Sequence, residues 1–163
     1  MGFWNSTVPS FVVGRMRASK FQTLADIATA TTSAWSTWIP VVGNLTIGSG
    51  TQIAKYRQLG KSYDFLWVFV YGVGSAVGTA PTFTLPAAPS TDWVVTTNAV
   101  FPMNCYLVDA GTGEGPGATR LSGSTVSLFS RSSFTAIANI TATAPFTWTT
   151  GDGMVVSGTF YTA

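Results

Sequence analysis

The stretch that decides the fold is Lys61-Ser-Tyr-Asp-Phe-Leu-Trp-Val-Phe-Val-Tyr71. Side chains alternate between the two faces of a β-strand. Tyr63, Phe65, Trp67, Phe69 and Tyr71 therefore share one face, and Leu66, Val68 and Val70 share the other. A strand that is apolar on both faces needs cover on both. One cover is an opposing sheet. For the other, a subunit interface is the natural candidate, because a lone two-layer protein normally wets its outer face. Just upstream, Tyr56 and Arg57 end one strand, Gly60 turns the chain and Lys61 starts the next, which predicts a hairpin leading into this core strand.

Outward from that strand, everything after Trp35 reads as β. Predicted strands cover 37–47, 52–59, 61–73, 81–85, 92–100, 102–109, 117–121, 124–130, 134–142 and 153–162. They are rich in Val, Thr, Phe, Tyr, Trp and Ile and are bounded by Gly, Pro, Asn and Ser. Short strands with regular turn signals predict an all-β, antiparallel β-sandwich of jelly-roll type. The glycine-rich string 110–117 reads as a mobile loop joining two strands at one end. The last strand, through Tyr161, is expected to close the domain, with no second domain after it.

The front of the chain differs. Residues 1–17 read as an extended arm, with Phe3, Trp4, Val8, Phe11, Val12 and Val13 apolar but aperiodic and with Pro9 and Gly14 as breakers. Residues 18–34 predict one short α-helix, since Phe21, Leu24, Ala25, Ile27, Ala28 and Thr31 recur at spacings of three and four. Ser19 is placed to cap it. The narrow stripe needs a partner, either a second copy or the chain's own β-domain. The expected organisation is an attachment or oligomerisation segment, 1–34, and a β-domain, 35–163.

Composition narrows the function classes. The chain has 163 residues, 46% hydrophobic and only 9% charged, against ~25% charged in an average soluble domain. No apolar run approaches the ~18 residues of a membrane span, and the N-terminus lacks a secretory h-region. The expectation is a subunit that hides much of its surface against partners, without membrane insertion. The net charge of +2 is too small to point to nucleic acid. Its distribution is uneven: Arg15, Arg17, Lys20, Lys55, Arg57 and Lys61 face only Asp26 in the front, while Asp64, Asp92, Asp109, Glu114 and Asp152 outnumber Arg120 and Arg131 behind. Spread along the chain, the front charges read first as a solubilising surface and second as a docking patch. Cys105 stands alone and reads as a small packed hydrophobe.

Few side chains in the sequence offer catalytic or metal-binding chemistry. There is no histidine, which removes His-dependent triads and most zinc and iron sites. The acids offer no obvious glycosidase pair: Asp64 and Asp92 read as strand-start residues, and Gly151-Asp152-Gly153 as a turn. Asp109 and Glu114 flank the glycine string, where a shared calcium ion is a minor reading because the spacing matches no EF-hand. The string itself lacks the Gly-Lys-Ser/Thr ending and following helix of a phosphate loop. The reading is non-enzymatic, with no cofactor and no metal. Aromatics are plentiful, and Trp93, Tyr106, Trp148 and Tyr161 are candidates to stack on sugar rings, against the plainer reading that each is core or interface.

Three blocks carry a resemblance: Pro9-Ser-Phe-Val-Val-Gly-Arg-Met-Arg-Ala-Ser-Lys-Phe-Gln-Thr-Leu-Ala-Asp26; Trp38-Ile-Pro40 through Ala54-Lys-Tyr-Arg-Gln-Leu-Gly-Lys61 to Phe83-Thr-Leu-Pro86; and Pro145-Phe-Thr-Trp-Thr-Thr-Gly-Asp-Gly-Met-Val-Val-Ser-Gly-Thr-Phe-Tyr161. Together the sequence resembles small tail-associated and fibre-like virion proteins of phages that infect actinobacteria. The resemblance implies a virion structural role, often as a homotrimer, with the N-terminal segment on the particle and the β-domain projecting. Trp4, Phe11, Arg15, Arg17, Phe21 and Leu24 are then the expected attachment residues, and other virion proteins and a host surface glycan the expected partners. The alternatives are a capsid decoration or head-fibre protein and a free carbohydrate-binding module.

Overall fold

In the computed structural model the quoted stretch is an inner strand, β4 (Ser62–Val70), hydrogen-bonded along its length to β3 (Thr51–Leu59) on one side and β11 (Gly153–Tyr161) on the other. The structure describes residues 34–93, 100, 101, 103–131 and 136–163, with the backbone alone at Trp93, Val100 and Phe101. The predicted helix 18–34, apart from its last residue, and the attachment residues Trp4, Phe11, Arg15, Arg17, Phe21 and Leu24 lie outside the described residues.

The other strands are β1 (Ser36–Thr37), β2 (Val42–Thr46), β5 (Ala76–Thr84), β6 (Val100–Phe101), β7 (Asn104–Asp109), β8 (Gly113–Ser122), β9 (Thr125–Arg131) and β10 (Ile137–Asn139). All pairings are antiparallel, and the path runs β1-β3-β4-β11-β7-β8-β9-β5-β2, with β10 on β9 and β6 on β8. The single 3₁₀ turn Thr91–Trp93 is the one helical element among the described residues. The expected all-β, antiparallel class is what the structure shows, in the form of a sheet curled into a half-barrel.

The curl is made at β8. Its first residues, Gly113 to Pro116, pair with β7, and the rest, Gly117 to Ser122, pair with β9. This corrects the reading of 110–117 as a loop: the turn is only Ala110-Gly-Thr112, closed by the Thr112 N–H on the Asp109 carbonyl at 3.0 Å, and the strand begins at Gly113. A glycine within a strand often marks a close approach. Here a Cβ on Gly117 would collide with the Cys105 sulfur. Cys105 itself is buried and free, as read.

Curling brings β4 face to face with β5, which is not its hydrogen-bonded neighbour. Trp67 stacks on Phe83 at 4.5 Å and 8°, and Phe65, Phe69, Phe160, Met154 and Val156 complete a fully buried core. The segment between β1 and β2 straps across, carrying the chain from β3 to β5. Trp38 points inward from this strap, edge-on to Tyr56 at 6.2 Å and Phe65 at 6.3 Å, and its indole N–H donates to the Thr84 carbonyl at 3.0 Å. The predicted strand 37–47 is thus two strands and a strap.

Other bounds shift for local reasons. The strand expected at 81–85 begins at Ala76, against a β2 whose register slips between Gly43 and Leu45, where Asn44 takes φ 52°. The strand expected at 92–100 is the 3₁₀ turn at its start and β6 at its end, while 94–99 lie outside the described residues. The predicted hairpin is present: Gly60, at φ 59°, turns β3 into β4.

Candidate functional site

The unusual surface is the outer face of the sheet half built from β3, β4, β11 and β7. Antiparallel register aligns Ile53 with Val68, Val68 with Val155, and Val155 with Tyr106. Tyr106 in turn pairs with Pro116. At the opposite edge, the Trp38 N–H bond to the Ala54 carbonyl extends the β1–β3 register, so Ile39, one residue on, continues the row. Ile39 is 91% exposed, Tyr106 50% and Ile53 42%; Val68 and Val155 are half-buried by their neighbours. Directly opposed side chains are the unit of sheet packing, and this row runs across the sheet without a polar interruption. A solvated antiparallel face normally carries polar residues at such positions.

Polar groups border the row on one side. Arg57 and Asp64 are cross-strand partners joined at 2.8 Å, and Arg57 lies over the Trp35 ring at 5.5 Å. The Asp64 carboxylate also accepts the Thr159 hydroxyl. These two donors, Thr159 first, hold the Asp64 carboxyl below its ordinary value. Lys55 and Asn104 stand between that border and the row, while Glu114 sits at the far, β8 end. The face is therefore apolar in the middle, basic toward β3 and acidic toward β8.

The sugar-stacking candidates separate. Tyr106 lies on this exposed face. Tyr161, 44% exposed, is on the same face of β11. Trp148 is placed otherwise: it is only 6% exposed and its indole N–H donates to the Thr141 carbonyl at 2.9 Å, so it offers no platform. Its neighbour Phe146 is the more open ring of that pair. The Trp93 side chain lies outside the described residues. Sequence reasoning missed Ile39, Ile53 and Val155 as surface residues. The alternation around Val68 was the available signal, but aligning residues from separate strands needs the register.

Among the described residues no group of three or more His, Cys, Asp or Glu side chains is placed to hold a metal ion. Asp152 is fully buried and serves the turn it was read into: its carboxyl oxygens accept the Ala110 N–H at 2.9 Å and the Thr149 N–H and hydroxyl. Comparison with known proteins finds no family model, no curated sequence and no solved structure that matches the chain.

Proposed function

We propose that this chain is a non-enzymatic structural and adhesion subunit of a bacteriophage particle, of tail-fibre or tail-tip type, working as an oligomer. The observation that carries the reading is the exposed row Ile39–Ile53–Val68–Val155–Tyr106, on a chain with few charges to keep it apart from neighbours. Exposed apolar patches with polar borders are the usual mark of an interaction surface. In this reading the curled sheet is a β-sandwich of jelly-roll kind whose outer face packs on a second copy. The opposite charges at the two ends of that face, Lys55 and Glu114, give neighbouring copies a complementary contact. The N-terminal 34 residues attach the subunit to other virion proteins, and the β-domain projects toward a host surface glycan.

Light scattering on the purified chain at several concentrations tests this. The expected mass is that of a trimer of 17.1 kDa chains. A monomer at every concentration sinks the self-association, and a monomer that also fails to bind purified particles sinks the virion reading.

A further inference from the structure

At the β7–β8 hairpin the surface opens into a groove of about 320 Å³. One wall is the hairpin, with Asp109, Thr112 and Glu114 set among the glycines at the start of β8; the other is Pro145 and Phe146. The two walls are tied together by Asp152, whose carboxyl group accepts the Ala110 N–H of the hairpin at 2.9 Å while also holding Thr149 of the opposite segment. The Phe146 ring is backed by the buried Trp148 at 4.6 Å. The groove is thus preformed, as ligand sites of ~300–1,000 Å³ usually are.

Its chemistry is two-sided. Phe146 and Pro145 give an apolar wall. The Asp109 carboxylate and the Thr112 hydroxyl give acceptors, and among the described residues Asp109 has no cationic partner; Glu114, opposite Val108, carries its side chain on the other face of the hairpin. Among the described residues no Lys or Arg lines the groove. A calcium ion takes six to eight oxygens, several of them from carboxylates, and among the described residues no group of three or more acidic side chains is placed to hold one. An organic cation is best held by Trp and by several rings, whereas here there is one Phe. A sugar ring uses both sides at once: its C–H face packs on the aromatic and proline wall, and its hydroxyls donate to the Asp109 carboxylate and pair with the Thr112 hydroxyl. We infer that the groove between the β7–β8 hairpin and Pro145–Phe146 binds a neutral saccharide ring, with Phe146 as the stacking platform and the Asp109 carboxylate as hydroxyl acceptor. This deepens the adhesion reading and rests on it for its biological sense, though not for its test.

The test is amide NMR on the full-length, ¹⁵N-labelled chain. The probes are separate titrations with neutral hexoses, N-acetylhexosamines and 6-deoxyhexoses, and with tetramethylammonium chloride and calcium chloride. At least one sugar is expected to shift the Thr112, Gly113, Gly115 and Phe146 amides saturably, with a Kd on the order of 1 mM. Phe146→Ala should abolish the shifts. Asp109→Asn should weaken binding about tenfold, and Leu59→Ser, at the exposed far end of the sheet, should leave it unchanged. Shifts at these amides from the ammonium or calcium salt but from no sugar would overturn the proposal, and so would shifts from no probe. Mass measured on the same samples keeps the two readings apart: an intact oligomer without sugar binding sinks only the groove, and sugar binding by a monomer sinks only the assembly.

Discussion

The two faces of β4 come from the same nine residues and meet different fates. On the inner side Phe65, Trp67 and Phe69 are completely enclosed, stacked against one another, Phe83 and Phe160. On the outer side Leu66, Val68 and Val70 are only half covered, by side chains of their own sheet. The inner face is satisfied by the curl of one chain. Among the described residues, the outer face has the composition of a core without a second layer. An aromatic inner face and an aliphatic outer one thus divide the work: the first fixes the fold, and the second is the face that the proposed association would cover.

The sharpest way to break that division is at its centre. Trp67→Ala should destabilise the domain by about 3–5 kcal/mol in urea or guanidinium unfolding, the cost of a large cavity. Trp67→Phe should cost far less, because the buried indole N–H meets no hydrogen-bond acceptor among the described residues and its removal relieves an unsatisfied donor. Next in size is a buried polar group that serves the inner side of the comparison. Asp152→Ala strands the Ala110 and Thr149 N–H groups, which should cost about 2–4 kcal/mol. A loss under about 1 kcal/mol in the same unfolding experiment would mean that the two turns do not depend on this carboxyl group.

How far the sequence foretold this contrast follows from what period-two alternation can and cannot carry. Alternation assigns each residue of β4 to a face, so the apolar outer face was legible from Leu66, Val68 and Val70 alone. It carries nothing about which residues of β3, β11 and β7 stand beside Val68, because register is fixed by hairpins and long-range pairing. Ile39 reads as strand interior and is almost bare. The segment 113–117 reads as a loop because glycine and proline usually punctuate; here Gly117 lies against Cys105 at the point where β8 changes partners. Trp148 and Phe146 sit in an irregular stretch where no periodicity tells the inward ring from the outward one.

The outer face gives a smaller effect on stability and a larger one on mass. Val68→Thr combined with Tyr106→Ser changes two half-open positions of the outer face, where strand propensities span about 1 kcal/mol per site, and should change the unfolding free energy of the chain by less than about 2 kcal/mol. Under the proposed self-association the same pair should shift the mass toward that of the monomer in sedimentation or light scattering. If unfolding suffers as much as in Trp67→Ala, the outer face is core for the single chain. If mass does not move, the row is not the interface.

The smallest expected effect lies at the border of that face and is read by its pH dependence. The Asp64 carboxyl sits below its ordinary value because the Thr159 hydroxyl and the Arg57 guanidinium both donate to it. A carboxyl group whose folded pKa is lowered contributes stability above its unfolded pKa, and that contribution is lost as pH falls through the folded value. The pair is partly solvent-exposed, and exposed ion pairs contribute about 0–1 kcal/mol. Asp64→Asn should therefore lower stability at pH 7 by no more than that. The gap from the wild type should shrink as pH falls below the ordinary aspartate value of 3.8, and raising the salt concentration at pH 7 should shrink it too. A gap that persists unchanged at acid pH would mean that the Asp64→Asn variant loses shape or hydrogen-bond geometry rather than charge, and that the polar border of the outer face is held by packing.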